Sequence, residues 1–214
     1  MGRLFSLLGL SEDSCLICGG EIAHLEQGYV CEGCLMEIKP YHPFNYEKLG
    51  LISRYRVYGR YESTLAEVIR LIKFRSVKPL AYTLGERISG HLGDFLEEAK
   101  PDILTYVPVH SWRLWSRGFD HNRVLLEGAG VKYDSLLLRR KHSKPLAYYE
   151  REKRFVTVKD AFGVRKELAD RVEGKKILVF DDVLTTGATS TTICELLLSL
   201  GAEDVFFYFL AKEG

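Results

Sequence analysis

The chain has 214 residues, 46% of them hydrophobic and 28% charged, with a formal net charge of +1. This is the composition of a soluble globular protein, long enough for one sizeable α/β domain and a small appendage. Near-neutral charge excludes a global field aimed at DNA or a membrane, so any nucleic-acid role must come from a local patch. No run of eighteen apolar residues offers a membrane span. Residues 1–10 are too short for a signal peptide and lack its cleavage pattern. Gly2 and Ser6 match a myristoylation signal in form only; a small amphipathic segment packed on the body is the simpler reading. A cytoplasmic location follows.

Residues 1–44 carry four of the five cysteines, and 45–214 carry the alternating pattern of a larger domain. Cys15-Leu16-Ile17-Cys18 and Cys31-Glu32-Gly33-Cys34 are separated by twelve residues. Two residues between cysteines let both thiolates converge on one ion from a tight turn. Two such turns make a closed tetrahedral four-cysteine set of the kind that structural Zn²⁺ takes. Gly19 and Gly20 supply the backbone freedom that the turn needs. A segment of roughly forty residues also has too little core to fold unaided. Two disulfides or an iron centre are the alternatives. A reducing compartment argues against the first, while a four-cysteine site takes iron as well as zinc. His24 is a spare ligand inside the finger.

Residues 41–44 read as a linker. From Tyr55 to Tyr61 aromatic and basic residues alternate, which predicts a strand. The spacing of Leu65, Val68, Ile69 and Ile72, and then of Leu84, Ile88, Leu92 and Phe95, predicts two helices, the second opened near Pro79. Residues 103–107 read as a strand stopped by Pro108. A loop rich in Trp and Arg follows over 109–119, then a helix near 122–126. Leu136-Leu137-Leu138 is a short apolar run, and 139–159 is basic without apolar periodicity. Lys175-Lys176 starts a buried strand. Ile193, Leu196, Leu197 and Leu200 stripe the helix after it, with Gly201 as its C-cap and Cys194 as a small buried residue. Residues 205–210 read as a last buried strand. Strands alternating with helices imply a parallel sheet joined by right-handed crossovers.

The most informative stretch is Ile177-Leu178-Val179-Phe180-Asp181-Asp182-Val183-Leu184-Thr185-Thr186-Gly187-Ala188-Thr189. Apolar residues run into two adjacent acids, then into a hydroxyl-rich turn around Gly187 and a helix start. The turn and the helix N-terminus offer backbone N–H groups to a phosphate. Thr185, Thr186 and Thr189 add hydroxyl donors. Asp181 and Asp182 can accept from two sugar hydroxyls or approach a Mg²⁺ held mainly by the ligand. The bland alternative is an ordinary strand–turn–helix with a solvated acidic pair.

This stretch resembles the signature of the type I phosphoribosyltransferases, which bind phosphoribosyl pyrophosphate (PRPP), and matches it at every position. The resemblance implies an α/β fold with a parallel sheet flanked by helices and the signature at a strand's C-terminal end. It implies that Asp181 and Asp182 grip the ribose hydroxyls. Val183 and Leu184 lead into the PRPP loop, where Thr185, Thr186, Gly187, Ala188 and Thr189 hold the 5′-phosphate. The second loop carries Arg113, Arg117 and Gly118; type I enzymes hold pyrophosphate on a loop of this kind, so Arg117 and Gly118 would face pyrophosphate with Mg²⁺. A surface loop with its tryptophans anchored in the core is the alternative. The basic runs Arg139-Arg140-Lys141-His142-Ser143-Lys144 and Arg151-Glu152-Lys153-Arg154 read as a solvated surface, as a lid over pyrophosphate, or as a phosphate-backbone contact for single-stranded DNA. In that last case Trp112, Trp115, Tyr148, Tyr149 and Phe155 would be stacking faces.

The order of parts is narrower. A four-cysteine zinc finger, a helix ending in Lys73-Phe74, Val107-Pro108-Val109 with Arg117-Gly118-Phe119, and then the signature resemble the ComF family, bacterial proteins linked to competence for DNA uptake. The resemblance covers essentially the whole chain and implies transfer of phosphoribosyl to a nitrogen acceptor. The chain departs from the family where Asn-Gln is expected and Asp120-His121 stands, and where Leu146 and Thr157 replace a lid Gln and Asn. No residue stands out as a general base for the acceptor. The rival function is a PRPP or nucleotide sensor, or a scaffold for single-stranded DNA or for competence and recombination proteins.

Overall fold

A computed structural model of the chain describes residues 14–22, 29–41, 49–140 and 161–214. In chain order these form α1 (Glu32–Met36), β1 (Arg54–Arg60), α2 (Ser63–Phe74), α3 (Lys78–Ala99), β2 (Ile103–Tyr106), α4 (Ser111–Arg117), α5 (His121–Gly128), β3 (Leu137–Arg139), β4 (Phe162–Val164), a 3-10 turn at Lys166–Arg171, β5 (Lys176–Leu184), α6 (Ala188–Ser199) and β6 (Asp204–Lys212). The main sheet has the order β1-β6-β5-β2, and every neighbouring pair is parallel. Ile177, Leu178, Val179 and Phe180 are all fully buried, as expected for a central strand covered on both faces.

Alternate residues of that strand point to opposite layers. Leu178 and Phe180 join Leu104, Tyr106, Phe206 and Tyr208 under α2, α3 and α5. Ile177 and Val179 join Ile103, Val205, Phe207 and Phe209 under Ile193, Cys194 and Leu197 of α6. By the same alternation Asp182 stands on the α2–α5 face.

The helices keep the apolar stripes read from the sequence, and α3 carries Pro79 in its first turn. Where α5 crosses α3 the backbones nearly touch. A Cβ at Gly85 would lie 2.2 Å from the Leu125 carbonyl oxygen, and one at Gly128 would lie 2.1 Å from that of Tyr82. The two glycines therefore seat α5, which begins at the candidate site.

Cys15, Ile22, Val30, Cys34, Leu35 and Ile38 of the finger belong to the same core cluster as Leu65, Val68 and Ile69 of α2. Thr64 Oγ1 donates to Glu37, and Arg87 pairs with Glu32. The finger is thus packed into the layer that covers one face of the sheet.

Three expectations change. The stretch 109–119 is not all loop, because its residues 111–117 form α4, with His110 capping the helix by accepting from Trp112 N. The tryptophans are not anchored in the core: Trp112 is 66% and Trp115 83% exposed. The signature strand also runs further than the apolar block suggests, because β6 pairs with it through Asp181, Val183 and Leu184. No helix among the described residues is long and apolar enough to cross a membrane.

Candidate functional site

β2 and β5 are parallel neighbours, so the segments leaving their C-terminal ends lie side by side at one edge of the sheet. From β5 come the two acids, the turn 185–187 and α6. Gly187 has φ +76°, a left-handed conformation that L residues avoid, and it is the N-cap of the twelve-residue α6. Gly187 has no side chain to cap the helix, and of the first-turn amides Ala188 N meets Thr186 Oγ1 only at 3.5 Å, so they point into the turn. Thr185, Thr186 and Ala188 are exposed and Thr189 is half-buried. Ser190 is turned away, its hydroxyl donating back to the Gly187 carbonyl at 2.9 Å. Val183 and Leu184 complete the strand.

From β2 come α4, Gly118 and α5. Asp120 caps α5 by accepting from Asn122 N and Arg123 N, and its second oxygen accepts from Val109 N at 3.0 Å. Asn122 ties the two segments together, donating to the Val107 carbonyl at 2.9 Å and to Asp181 Oδ1 at 3.3 Å. Gly118 closes α4 at φ +82° with open space around it.

The two acids sit in different surroundings. Asp182 Oδ2 lies 2.8 Å from Lys73 Nζ at the end of α2 and accepts a hydrogen bond from His121 Nε2. Burial works to raise its carboxyl, but the His121 bond and the Lys73 charge outweigh it and hold Asp182 well below the usual carboxylate range. Asp181 is pushed up to about 7 by burial and by the neighbouring Asp182 charge, against its bonds from Asp182 N and Asn122. One acid is thus kept as the anion and the other is poised to hold a proton.

Arg117, expected to face pyrophosphate, is buried with its guanidinium turned inward. Its Nε donates to the Lys73 carbonyl at 3.0 Å and its Nη1 to His121 Nδ1. Sequence reasoning placed Asp181, Asp182, Arg117 and Gly118 around this edge but gave no role to His121, Asn122, Asp120 or Lys73. Only Lys73-Phe74 at a helix end and the unexpected Asp120-His121 marked any of them beforehand.

The cysteine set is a second, separate site. The ligand atoms of Cys15, Cys18, Cys31 and Cys34 all lie within 4.8 Å of one another. The sulfurs of Cys15 and Cys34, and of Cys18 and Cys31, are each 3.8 Å apart. That is the edge of a tetrahedron with metal–sulfur bonds of about 2.3 Å, and far beyond a disulfide bond of about 2.05 Å. Backbone N–H groups of Ile17 and Cys31 point at Cys15 Sγ. Burial works to raise the Cys15 thiol, but the backbone N–H groups of Cys18, Cys31 and Ile17 bring it down to about 6. The donor set fits one tetrahedral, thiophilic metal ion.

Residues 141–160, with the greater part of the basic runs and Tyr148, Tyr149 and Phe155, lie outside the described residues, as do His24 and residues 1–10. The β3–β4 ladder holds the two ends of that segment together, with Arg140 N donating to the Ala161 carbonyl at 2.8 Å.

A parallel sheet flanked by helices, a strand–turn–helix loop at its edge and a four-cysteine cluster define an α/β protein with the architecture expected from the type I phosphoribosyltransferase resemblance. No protein-family model matches the chain. Competence protein F of Haemophilus influenzae is 23% identical over 222 residues, covering 92% of this chain and 96% of that protein. Competence protein ComFC of Streptococcus pneumoniae is 30% identical over 61% of this chain and 57% of its own length. The DNA utilization protein YhgH of Escherichia coli is 32% identical over 52% of this chain and 50% of its own length. The match therefore spans only about half of those last two relatives. The chain is thus similar to competence-associated ComF proteins, over nearly its whole length in the first case. A solved structure of the allosteric regulatory enzyme of purine biosynthesis superposes with a TM-score of 0.38 at 21% identity, over 60% of this chain and 25% of that one; the fold class rests on the sheet order instead.

Proposed function

We propose that the chain is a PRPP-binding, phosphoribosyltransferase-like protein of the cytoplasm that serves DNA uptake. The observation that carries this reading is the edge of β5: two acids with opposed protonation preferences, followed by left-handed Gly187 and the N-terminus of α6, which has glycine as its N-cap. The 5′-phosphate sits on Thr185, Thr186, Gly187, Ala188 and Thr189, where amides and hydroxyls converge and the helix dipole favours an anion. Asp181 and Asp182 take the ribose hydroxyls. Gly118 lets backbone approach pyrophosphate, with Arg117 behind it adding positive charge. Mg²⁺, entering with PRPP, supplies neutralisation of the pyrophosphate charge.

The reaction class is phosphoribosyl transfer. Pyrophosphate leaves the anomeric carbon, positive charge develops on the sugar, and a nitrogen nucleophile attacks. The protein holds geometry and stabilises charge. The finger binds one structural Zn²⁺ through Cys15, Cys18, Cys31 and Cys34.

A second reading, a sensor or scaffold without turnover, draws on one observation. Trp112, Arg113 and Trp115 are exposed on α4 beside the site, as aromatic and basic faces for single-stranded DNA or a protein partner.

Calorimetry with PRPP and Mg²⁺, followed by pyrophosphate release against bases, ammonia and amines, tests both. Binding that is weakened in D181N and D182N, with the fold intact, is expected. Intact protein that does not bind PRPP overturns the proposal, and binding without pyrophosphate release selects the second reading.

A further inference from the structure

We propose that Arg117 and His121 are positioning residues that act through Asp182, committing its Oδ2 together with Lys73 and leaving Oδ1 to accept a ribose hydroxyl. This rests on the PRPP reading above, but the relay itself rests on geometry alone.

A guanidinium has only donors. His121 Nδ1, in contact with Arg117 Nη1, must therefore accept. A neutral imidazole that accepts at Nδ1 carries its proton at Nε2, and Nε2 is the atom that meets Asp182 Oδ2. The opposite tautomer would set two N–H groups face to face at Arg117 and two acceptors face to face at Asp182. Arg117 thus selects the tautomer that can donate to the acid.

The same arginine also governs the other donor. Its Nε bonds the carbonyl of Lys73 at 3.0 Å, and the Lys73 ammonium lies 2.8 Å from the same Oδ2. Three elements, α2, α4 and α5, so meet on one carboxylate oxygen through a closed ring of contacts. Asp182 cannot rotate without losing both donors, and its free oxygen is held in one direction. Preorganisation of this kind strengthens a hydrogen bond to a ligand because no reorientation is needed at binding. A side chain meant to grip pyrophosphate directly would instead be exposed, as Arg113 is on α4.

Glutamine can replace the ring's function, since its carbonyl oxygen accepts from Arg117 and its amide donates to Asp182. Alanine can do neither. Proton-detected ¹⁵N spectroscopy of the ligand-free protein, with His121 assigned from the H121Q spectrum, should show the Nε2–H tautomer and a shifted Nε2 resonance in D182N. An Nδ1–H tautomer, or a His121 signal unmoved in D182N, overturns the relay. In PRPP–Mg²⁺ titrations H121A should bind about tenfold more weakly or worse, while H121Q stays within about threefold of the parent. Equal affinity of H121A and parent overturns the proposal. So does equal weakening of H121A and H121Q, which would mean packing rather than hydrogen-bond polarity. Should H121A fail to fold, H121Q and D182N decide the question. If the parent protein itself binds no PRPP, the proposed function falls, and the tautomer measurement alone judges the relay.

Discussion

Lys73 Nζ lies 2.8 Å from Asp182 Oδ2, joining the last turn of α2 to the end of the central strand. Neither residue is fully exposed to water, and the acid is shared with His121. Replacing Lys73 by methionine keeps the aliphatic stem and removes the charge. K73M should lose about 1.5–3 kcal/mol of stability in urea unfolding and bind PRPP more weakly, with K73R between it and the parent. Unchanged values in both measurements would make the pair incidental.

The acidic pair also sets a pH dependence. Burial and the Asp182 charge push Asp181 up to about 7, against about 3.9 in the unfolded chain. The folded state therefore holds this proton more tightly. The corresponding stability is complete below about pH 4 and is lost as the pH rises through about 7. Asp182 works the other way: its depressed carboxyl stabilises the fold above the ordinary carboxylate range and loses that contribution in acid. D181N cannot ionise, so its Tm relative to the parent should rise from pH 4.5 to pH 7.5 by a few degrees. A gap that is the same at both pH values would show that Asp181 titrates normally.

Gly187 meets two demands at once. Its φ of +76° is left-handed, and a Cβ there would press Leu49 at 3.2 Å. G187A should cost about 1–2 kcal/mol in stability. PRPP affinity should fall further than that loss alone explains, because a displaced turn no longer aims the first amides of α6. Denaturation and calorimetry on the same sample separate the two effects. Unaltered affinity would remove the phosphate from this loop.

Metal removal should reach beyond the finger. Elemental analysis is expected to find one zinc per chain. Leu35 and Ile38 share a core with Leu65, Val68 and Ile69, so chelation or C31S should lower the main thermal transition of the protein. A separate early transition with the main one unmoved would show instead that the finger melts by itself.

Much of this was legible along the chain because the signals are local. The Cys-x-x-Cys pairs place their sulfurs by turn geometry, and the apolar block followed by two acids, threonines and glycine encodes a strand end and a helix start within thirteen residues. Helix α4 was hidden because its residues are exposed except for Arg117 and so leave no apolar stripe. The extra length of β5 was hidden because strand ends depend on the partner, here β6, which runs alongside through Lys212.

The amino-acid sequence by itself therefore determined the class of fold, the clustering of the four cysteines and the strand–turn–helix loop, each written in neighbouring residues. The tertiary structure alone decided what the acids do. Asp181 and Asp182 are identical in sequence terms. Strand alternation turns Asp182 toward α2 and α5, where Lys73, from more than a hundred residues earlier, and His121 hold it as an anion. Asp181 is buried against Asn122 without a cation in direct contact among the described residues. Charge and hydrogen bonding act over a few ångströms of space, and that distance is set by packing rather than by position in the chain.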